Sequence, residues 1–217
     1  MCAAWNGHWD IVHWLHSLDL LDEHDKDDEG QTMAHYAHDE LDVLKWLYSH
    51  GLLDVKEKDN KGRTLAHHAA SSSALDTLKW LRAIGLLDIK DRDKRSQNVI
   101  HLAATSHQPS LEVLQWMHSL GWLDAKIAQM INSNLMIFDG VEILPWLHSL
   151  GWLDTNHRDR QGRTITLRAA HGRLENLKWL RSKGLLNMKD KDDRGRTIAD
   201  LRLTPYIVEW LKLEKLM

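Results

Sequence analysis

Apolar residues recur along this chain in two kinds of short group. One is a small-residue run such as "LAHHAA" at 65–70, and the other is a longer amphipathic stretch such as "LDTLKWLRA" at 75–83. In the longer stretch Leu75, Leu78, Trp80 and Leu81 share one face at helical spacing, while Asp76, Lys79 and Arg82 take the other. The pattern predicts two short helices. Thr64 is placed to cap the first, and Gly85 stands just past the end of the second. A run as short as "LAHHAA" cannot hold a helix alone, so packing must hold it. Ser71 to Ser73 form the small polar link between the two.

The same pair returns along nearly the whole chain. Tryptophans at 14, 46, 80, 116, 146, 179 and 210 are spaced by 32, 34, 36, 30, 33 and 31 residues, and each has a Leu or Met next to it. A second mark keeps the beat: "GQTMAH" from 30, "GRTLAH" from 62, "SQNVIH" from 96, "GRTITL" from 162 and "GRTIAD" from 195. Fixed-period self-similarity of this kind denotes a repeat architecture. The expected fold is an all-α solenoid of helix-turn-helix units with short polar fingers, a single array over 1–217. Its units are 1–24 (partial), 25–57, 58–91, 92–124, 125–154 (degenerate), 155–188 and 189–217 (C-terminal cap).

Outside the partial and degenerate units, each unit opens on a turn that contains Asp, most densely in "DKDDEGQT" at 25–32. Asp25, Asp27, Glu29 and Gly30 match the first half of a calcium-binding loop, but its twelfth position is Tyr36, which cannot complete the ligand set. The near-copy "DKDDRGRT" at 190–197 places Arg194 at a ligand position and Leu201 at the twelfth. A cation there would repel calcium. The stretch therefore reads as a turn, with Gly30 supplying backbone freedom and Thr32 capping the following helix.

The sequence resembles the ankyrin repeat. "GRTLAHHAA" carries the family's turn and small-residue helix, and "AAWNGHWDIVHWL" at 3–15 and "AAHGRLENLKWL" at 169–180 are similar to its second half-repeat. The likeness runs from about residue 3 to residue 212. It departs where Met33, Leu65, Val99, Ile165 and Ile198 stand in place of the family's usual proline. The resemblance implies a non-catalytic protein-binding scaffold, with the finger tips and first-helix surface lining a concave binding face. It also implies a structural role for His35, His67 and His101, hydrogen-bonded to neighbouring turns.

Composition narrows the chemistry. Eleven Trp against one Phe and three Tyr fits one tryptophan copied many times, and its phase beside Leu predicts a core ladder. The net charge of −3 gives no nucleic-acid or membrane-surface balance. Cys2 is the sole cysteine, so no internal disulfide can form, and a cytoplasmic or nuclear setting follows, with export lacking a cleaved signal as the other route. No membrane span or signal peptide is evident. Fifteen histidines invite a metal, but residues one repeat apart sit on helices about 8–10 Å from each other, too far for one ion. No nucleophile–base pair or phosphate-binding glycine loop is seen, so neither catalysis nor a cofactor is expected.

The fingers are the candidate site. Finger one, His24 to Gln31, is acidic, and the later fingers lean basic. The residues expected to meet a partner, an acidic protein segment, are Gln31, Lys61, Arg63, Lys94, Arg95, Gln97, Arg160, Arg163, Arg194 and Arg196. A second reading makes the chain a targeting module of a larger protein, since "MCAA" opens inside a repeat. A missing half-repeat would leave Trp5, Trp9 and Ile11 without a partner on one side and favour self-association there. In the degenerate unit 125–154 "AKIAQMINSNLMIFDG" lacks the finger mark; Leu135 to Phe138 read as a stunted first helix, and Pro145 requires a late start or a kink in the second.

Overall fold

The computed structural model describes residues 2–22, 24–106, 109–134, 142–171 and 174–217. Among these there are helices and turns and no strands, so the chain is all-α. They form two compact units, Met1–Trp122 and Leu123–Met217.

The first unit holds α1 (Cys2–Trp5), α2 (Trp9–Ser17), α3 (Met33–Tyr36), α4 (Leu41–Ser49), α5 (Leu65–Ser71), α6 (Leu75–Ala83), α7 (Val99–Thr105) and α8 (Leu111–Ser119). The first helices start where the sequence places their caps. The histidine three residues on then completes the cap. The backbone N–H of Thr32 donates to His35 Nδ1 at 3.0 Å, and the Thr64 N–H to His67 Nδ1 at 3.3 Å. Here histidine takes the place of the usual Glu or Gln in the capping box. In α7, Asn98 accepts from the N–H groups of both Ile100 and His101.

The second helices end alike. Past α6, Gly85 turns to positive φ, its N–H donates to Arg82 O, and the Leu86 N–H reaches back to Leu81 O at 2.8 Å. This is the Schellman closure, in which the residue after the glycine packs down on the helix it ends. Leu52 and Trp122 reach back in the same way to Leu47 and Met117, and Trp152 and Leu185 do so in the second unit. Trp122 and Trp152 are thereby half-buried. An aspartate follows and turns the chain: Asp54 and Asp88 accept from the N–H two residues on, at 2.8 Å each.

The core differs from the predicted tryptophan ladder. The fully buried side chains of the second helices are Leu44, Leu47, Leu78, Leu81, Leu114 and Met117, with Leu144, Leu147, Leu177 and Leu180 in the second unit. Trp46, Trp80, Trp116, Trp146, Trp179 and Trp210 are only half-buried, and Trp14 is 59% exposed. They lie at the edge of the buried face and pack sideways. His13 stacks on Trp46 at 4.0 Å between ring centroids, and Tyr48 meets Trp80 edge-on at 5.7 Å. Trp46, Trp80 and Trp179 each meet a ring of the preceding second helix, His13, Tyr48 and His148 respectively.

The second unit holds α9 (Ala125–Asn134), α10 (Ile143–Ser149), α11 (Ile165–His171), α12 (Leu174–Ser182), the 3-10 turn Ile198–Asp200 and α13 (Pro205–Leu213). Where a finger was expected, α9 stands instead. Asp124 occupies the place of the turn aspartates, but "AKIAQM" after it is rich in helix formers, and its Oδ1 caps the N–H of Ile127 at 2.8 Å. Ile127, Ala128, Ile131 and Asn132 are buried. The stunted helix predicted at 135–138 lies outside the described residues. The helix carrying Pro145 starts late, at Ile143, so its missing N–H falls in the first turn and costs no hydrogen bond.

Candidate protein-binding fingers

Each finger is closed by one aspartate. The Asp59 N–H donates to Arg63 O at 2.9 Å, and the Gly62 N–H to Asp59 O at 2.9 Å. Asp59 Oδ1 then accepts the N–H groups of Lys61 and Arg63, both at 2.8 Å. Asp93, Asp159 and Asp192 repeat the whole pattern, and Asp27 repeats it with Gln31. Asp27 and Asp192, which resemble calcium ligands in the sequence, thus serve as staples for backbone donors.

The second oxygen of these carboxylates is held from the first helix, nine residues on. Tyr36 donates to Asp27 Oδ2, His68 Nε2 lies 3.0 Å from Asp59 Oδ2, and Arg168 Nε lies 4.0 Å from Asp159 Oδ2, which Arg163 also holds at 2.8 Å. Where that position is Leu102 or Leu201, an arginine substitutes: Arg63 pairs with Asp93 at 3.3 Å and Arg196 with Asp192 at 2.8 Å. Burial alone would raise the Asp59 carboxyl, but the N–H groups of Arg63 and Lys61 together with His68 hold it below the usual range. Tyrosine, histidine and arginine share no obvious sequence signal, so this link was invisible before the fold.

Neighbouring fingers are also tied to each other. In the first unit the Asn60 N–H donates to Glu29 O at 2.8 Å, and the Lys94 N–H to Lys61 O at 2.9 Å. In the second unit the Asp193 N–H donates to Gln161 O at 3.1 Å. Gly62 serves both demands: its φ is +77°, and a Cβ there would sit 3.1 Å from the Lys94 nitrogen. Lys58 and Asp91 add an ion pair at 2.7 Å.

These ties divide the predicted partner-binding residues. Lys61, Lys94, Arg95, Arg160 and Arg194 are exposed, and among the described residues no acid pairs with them. Arg63, Arg163 and Arg196 are committed to Asp93, Asp159 and Asp192. Gln97 is half-buried, and Gln31 lies against Asp27 and Tyr36. The arginine after the finger glycine, which by type looks like a binding residue, is a fold residue here.

The histidines sit behind the fingers. His35 Nδ1 takes the Thr32 N–H, which leaves the proton on Nε2, and that nitrogen lies 3.1 Å from the Arg63 carbonyl of the next finger. With both nitrogens engaged, His35 cannot also hold a metal. His67 has the same cap, but its buried Nε2 has no partner in hydrogen-bonding geometry. The His35 and His68 rings are 5.1 Å apart. Burial lowers the pKa of His35 and His67, and burial with His35 alongside lowers His68 to about 4 in spite of Asp59.

A depressed folded pKa means that the unfolded chain takes up the proton first. The contribution of these histidines is present above about pH 6.5 and is lost as pH falls from there toward the folded values. For His68 the full depression is worth about 3 kcal/mol at about 1.4 kcal/mol per pKa unit. Urea melts should therefore show stability dropping between pH 7 and pH 4.5; a flat profile would mean that the three rings are not held neutral.

In the second unit, buried Arg168 also donates to the carbonyls of Asn132 and Ser133, both at 3.1 Å, at the C-terminal turn of α9. A cation is favoured there by the helix dipole and by the unpaired carbonyls of a helix end. The unusual helix in the finger's place is thus anchored by a residue that also touches a finger staple. At the other extreme of the chain, Trp5 is 69% exposed and Ile11 and Trp14 are exposed, while Trp9 is half-buried.

Helix pairs repeated at one period and joined by stapled fingers define a helical repeat protein. Residues 1–93 match the family model for ankyrin repeats (three copies). The whole fold is similar to the ankyrin repeat domain of Bcl-3, a member of the IkappaB protein family, at 20% identity over 97% of this chain and 96% of that one, with a TM-score of 0.52. No curated protein sequence matches the chain. The first 93 residues thus carry ankyrin repeats, and the fold is that of an ankyrin-repeat solenoid. Repeats of this family mediate protein–protein interaction. No helix among the described residues is long and apolar enough to cross a membrane.

Proposed function

We propose that this chain is a non-catalytic scaffold that holds a protein partner on its finger tips and the adjoining first-helix surface. The observation that carries this reading is the division of labour within each finger. One aspartate fixes the backbone, and the basic residues at the tip are left exposed, with no acid paired to them among the described residues. A rigid backbone presenting uncommitted side chains lowers the ordering cost of binding. The basic tips Lys61, Lys94, Arg95, Arg160 and Arg194 favour an acidic stretch in the partner, in a cytoplasmic or nuclear setting without nucleic acid or membrane.

Charge reversal should be made at Lys61, Arg95 and Arg194, not at Arg63 or Arg163, whose ion pairs belong to the fold. The triple variant is expected to bind a glutamate-rich peptide at least about tenfold more weakly at low salt, with the difference shrinking as salt rises. Its melting curve should stay near that of the parent. Unchanged affinity would place the binding surface elsewhere.

A further inference from the structure

The exposed charges of the first unit do not have one sign. In finger one, Lys26 pairs with Glu57 of the next finger, and Asp27 is used by the turn and Tyr36. Asp25, Asp28 and Glu29 remain exposed, with no cation against them among the described residues. In finger two, Lys58 pairs with Asp91 and Arg63 with Asp93, so Lys61 is left. In finger three both acids are consumed by those pairs, and Arg92, Lys94 and Arg95 are left; the Arg92 guanidinium donates to the Ser96 carbonyl. The closing turns add nothing to the balance, because Lys56 follows Asp54 and Lys90 follows Asp88. The exposed charges with no ion-pair partner among the described residues therefore run from three negative groups, through one positive, to three positive, along fingers whose backbones are hydrogen-bonded in sequence.

We infer that the first unit recognises an extended segment of opposite polarity, with a basic cluster lying on finger one and an acidic cluster on finger three. This rests on the finger-tip reading above and deepens it. Each ion pair between fingers uses a basic residue of one finger and an acid of the next, Lys26 with Glu57, Lys58 with Asp91 and Arg63 with Asp93, and this leaves the acids of the first finger and the bases of the last unspent. A segment of one sign would meet attraction at one end and repulsion at the other, and like-charge juxtaposition is what excludes wrong partners. Units packed about 8–10 Å apart put fingers one and three about 16–20 Å apart. At about 3.3 Å per residue of extended chain, the two clusters of the partner are separated by about five residues.

The test uses the full chain and three synthetic peptides of equal length. One has a lysine cluster and a glutamate cluster separated by about five neutral residues; the others are all acidic and all basic. The bipolar peptide should lose about tenfold in affinity in Asp28→Lys/Glu29→Lys, and again in Lys94→Glu/Arg95→Glu. It should recover in the combined variant, where the peptide binds in the reverse direction along a reversed charge gradient. All four side chains lie outside the hydrogen bonds between fingers, which use the main chain of Asp28 and Glu29 and the N–H of Lys94, so melting curves should stay close. Bipolar affinity unchanged by either pair, or lost in each and not restored in the combination, overturns the polarity. If instead the acidic peptide alone binds, and is released by reversal at Lys61, Arg95 and Arg194, finger-tip binding stands and polarity falls. Failure of all three peptides at low salt sinks the finger-tip reading itself.

Discussion

Leu81→Ala is expected to cost about 3–4 kcal/mol in a urea melt, and the neighbouring Trp80→Ala only about 1–2 kcal/mol. The order is the reverse of what residue size suggests. Leu81 is fully buried within α6, so its truncation removes apolar surface and leaves a cavity that fixed helices on several sides cannot close. Trp80 is half-buried, with Tyr48 edge-on against it. Truncating it trims a rim contact, and water can take part of the space. Leu47 and Leu180 should behave like Leu81, and Trp46 and Trp179 like Trp80, because the same two positions recur. A larger loss for Trp80 than for Leu81 would place the indole in the core and restore the ladder that the sequence suggests.

Asp59→Ala is expected to cost about 3 kcal/mol, and Asp59→Asn about 1 kcal/mol. Asp59 is buried, and its carboxylate takes two backbone N–H groups and His68. Alanine strands all of these donors, and an unmet buried donor costs more than a made bond returns. Asparagine keeps an oxygen for the two N–H groups but gives up the charge. The same finger also gives its Lys61 carbonyl to Lys94, so amide exchange in Asp59→Ala should quicken at Lys61, Arg63 and Lys94 together. Stability within about 1 kcal/mol of the parent in Asp59→Ala would show that water replaces the carboxylate, and the staple would be incidental to the fold.

Much of this was legible in the sequence because it is local. Turn chemistry, helix caps and closures involve residues within about five positions of each other, and their signatures survive in order along the chain. Gly62 with Thr64, and Gly85 before Leu86, each name a structure that the neighbouring residues alone can enforce. The fixed period then states that these pieces stack, since neither "LAHHAA" nor "LDTLKWLRA" buries a face by itself.

The sequence misled where one residue type has two uses that neighbours in space decide. Trp80 and Leu81 are both apolar and adjacent, and only the preceding unit, through Tyr48, shows which one looks into the core. Arg63 and Arg95 are both basic finger residues, yet one lies against Asp93 and the other is exposed. Asp124 and Asp88 occupy matching places, but the first caps a helix because the residues after it favour one, and that helix persists because Arg168, some 36 residues on, holds its last carbonyls. What the chain determined by itself was the repeat, its turns and its helix ends, all set by contacts close in sequence. Only the tertiary structure decided which side chains are spent holding units together and which are left to meet a partner, because that depends on what the next repeat presents.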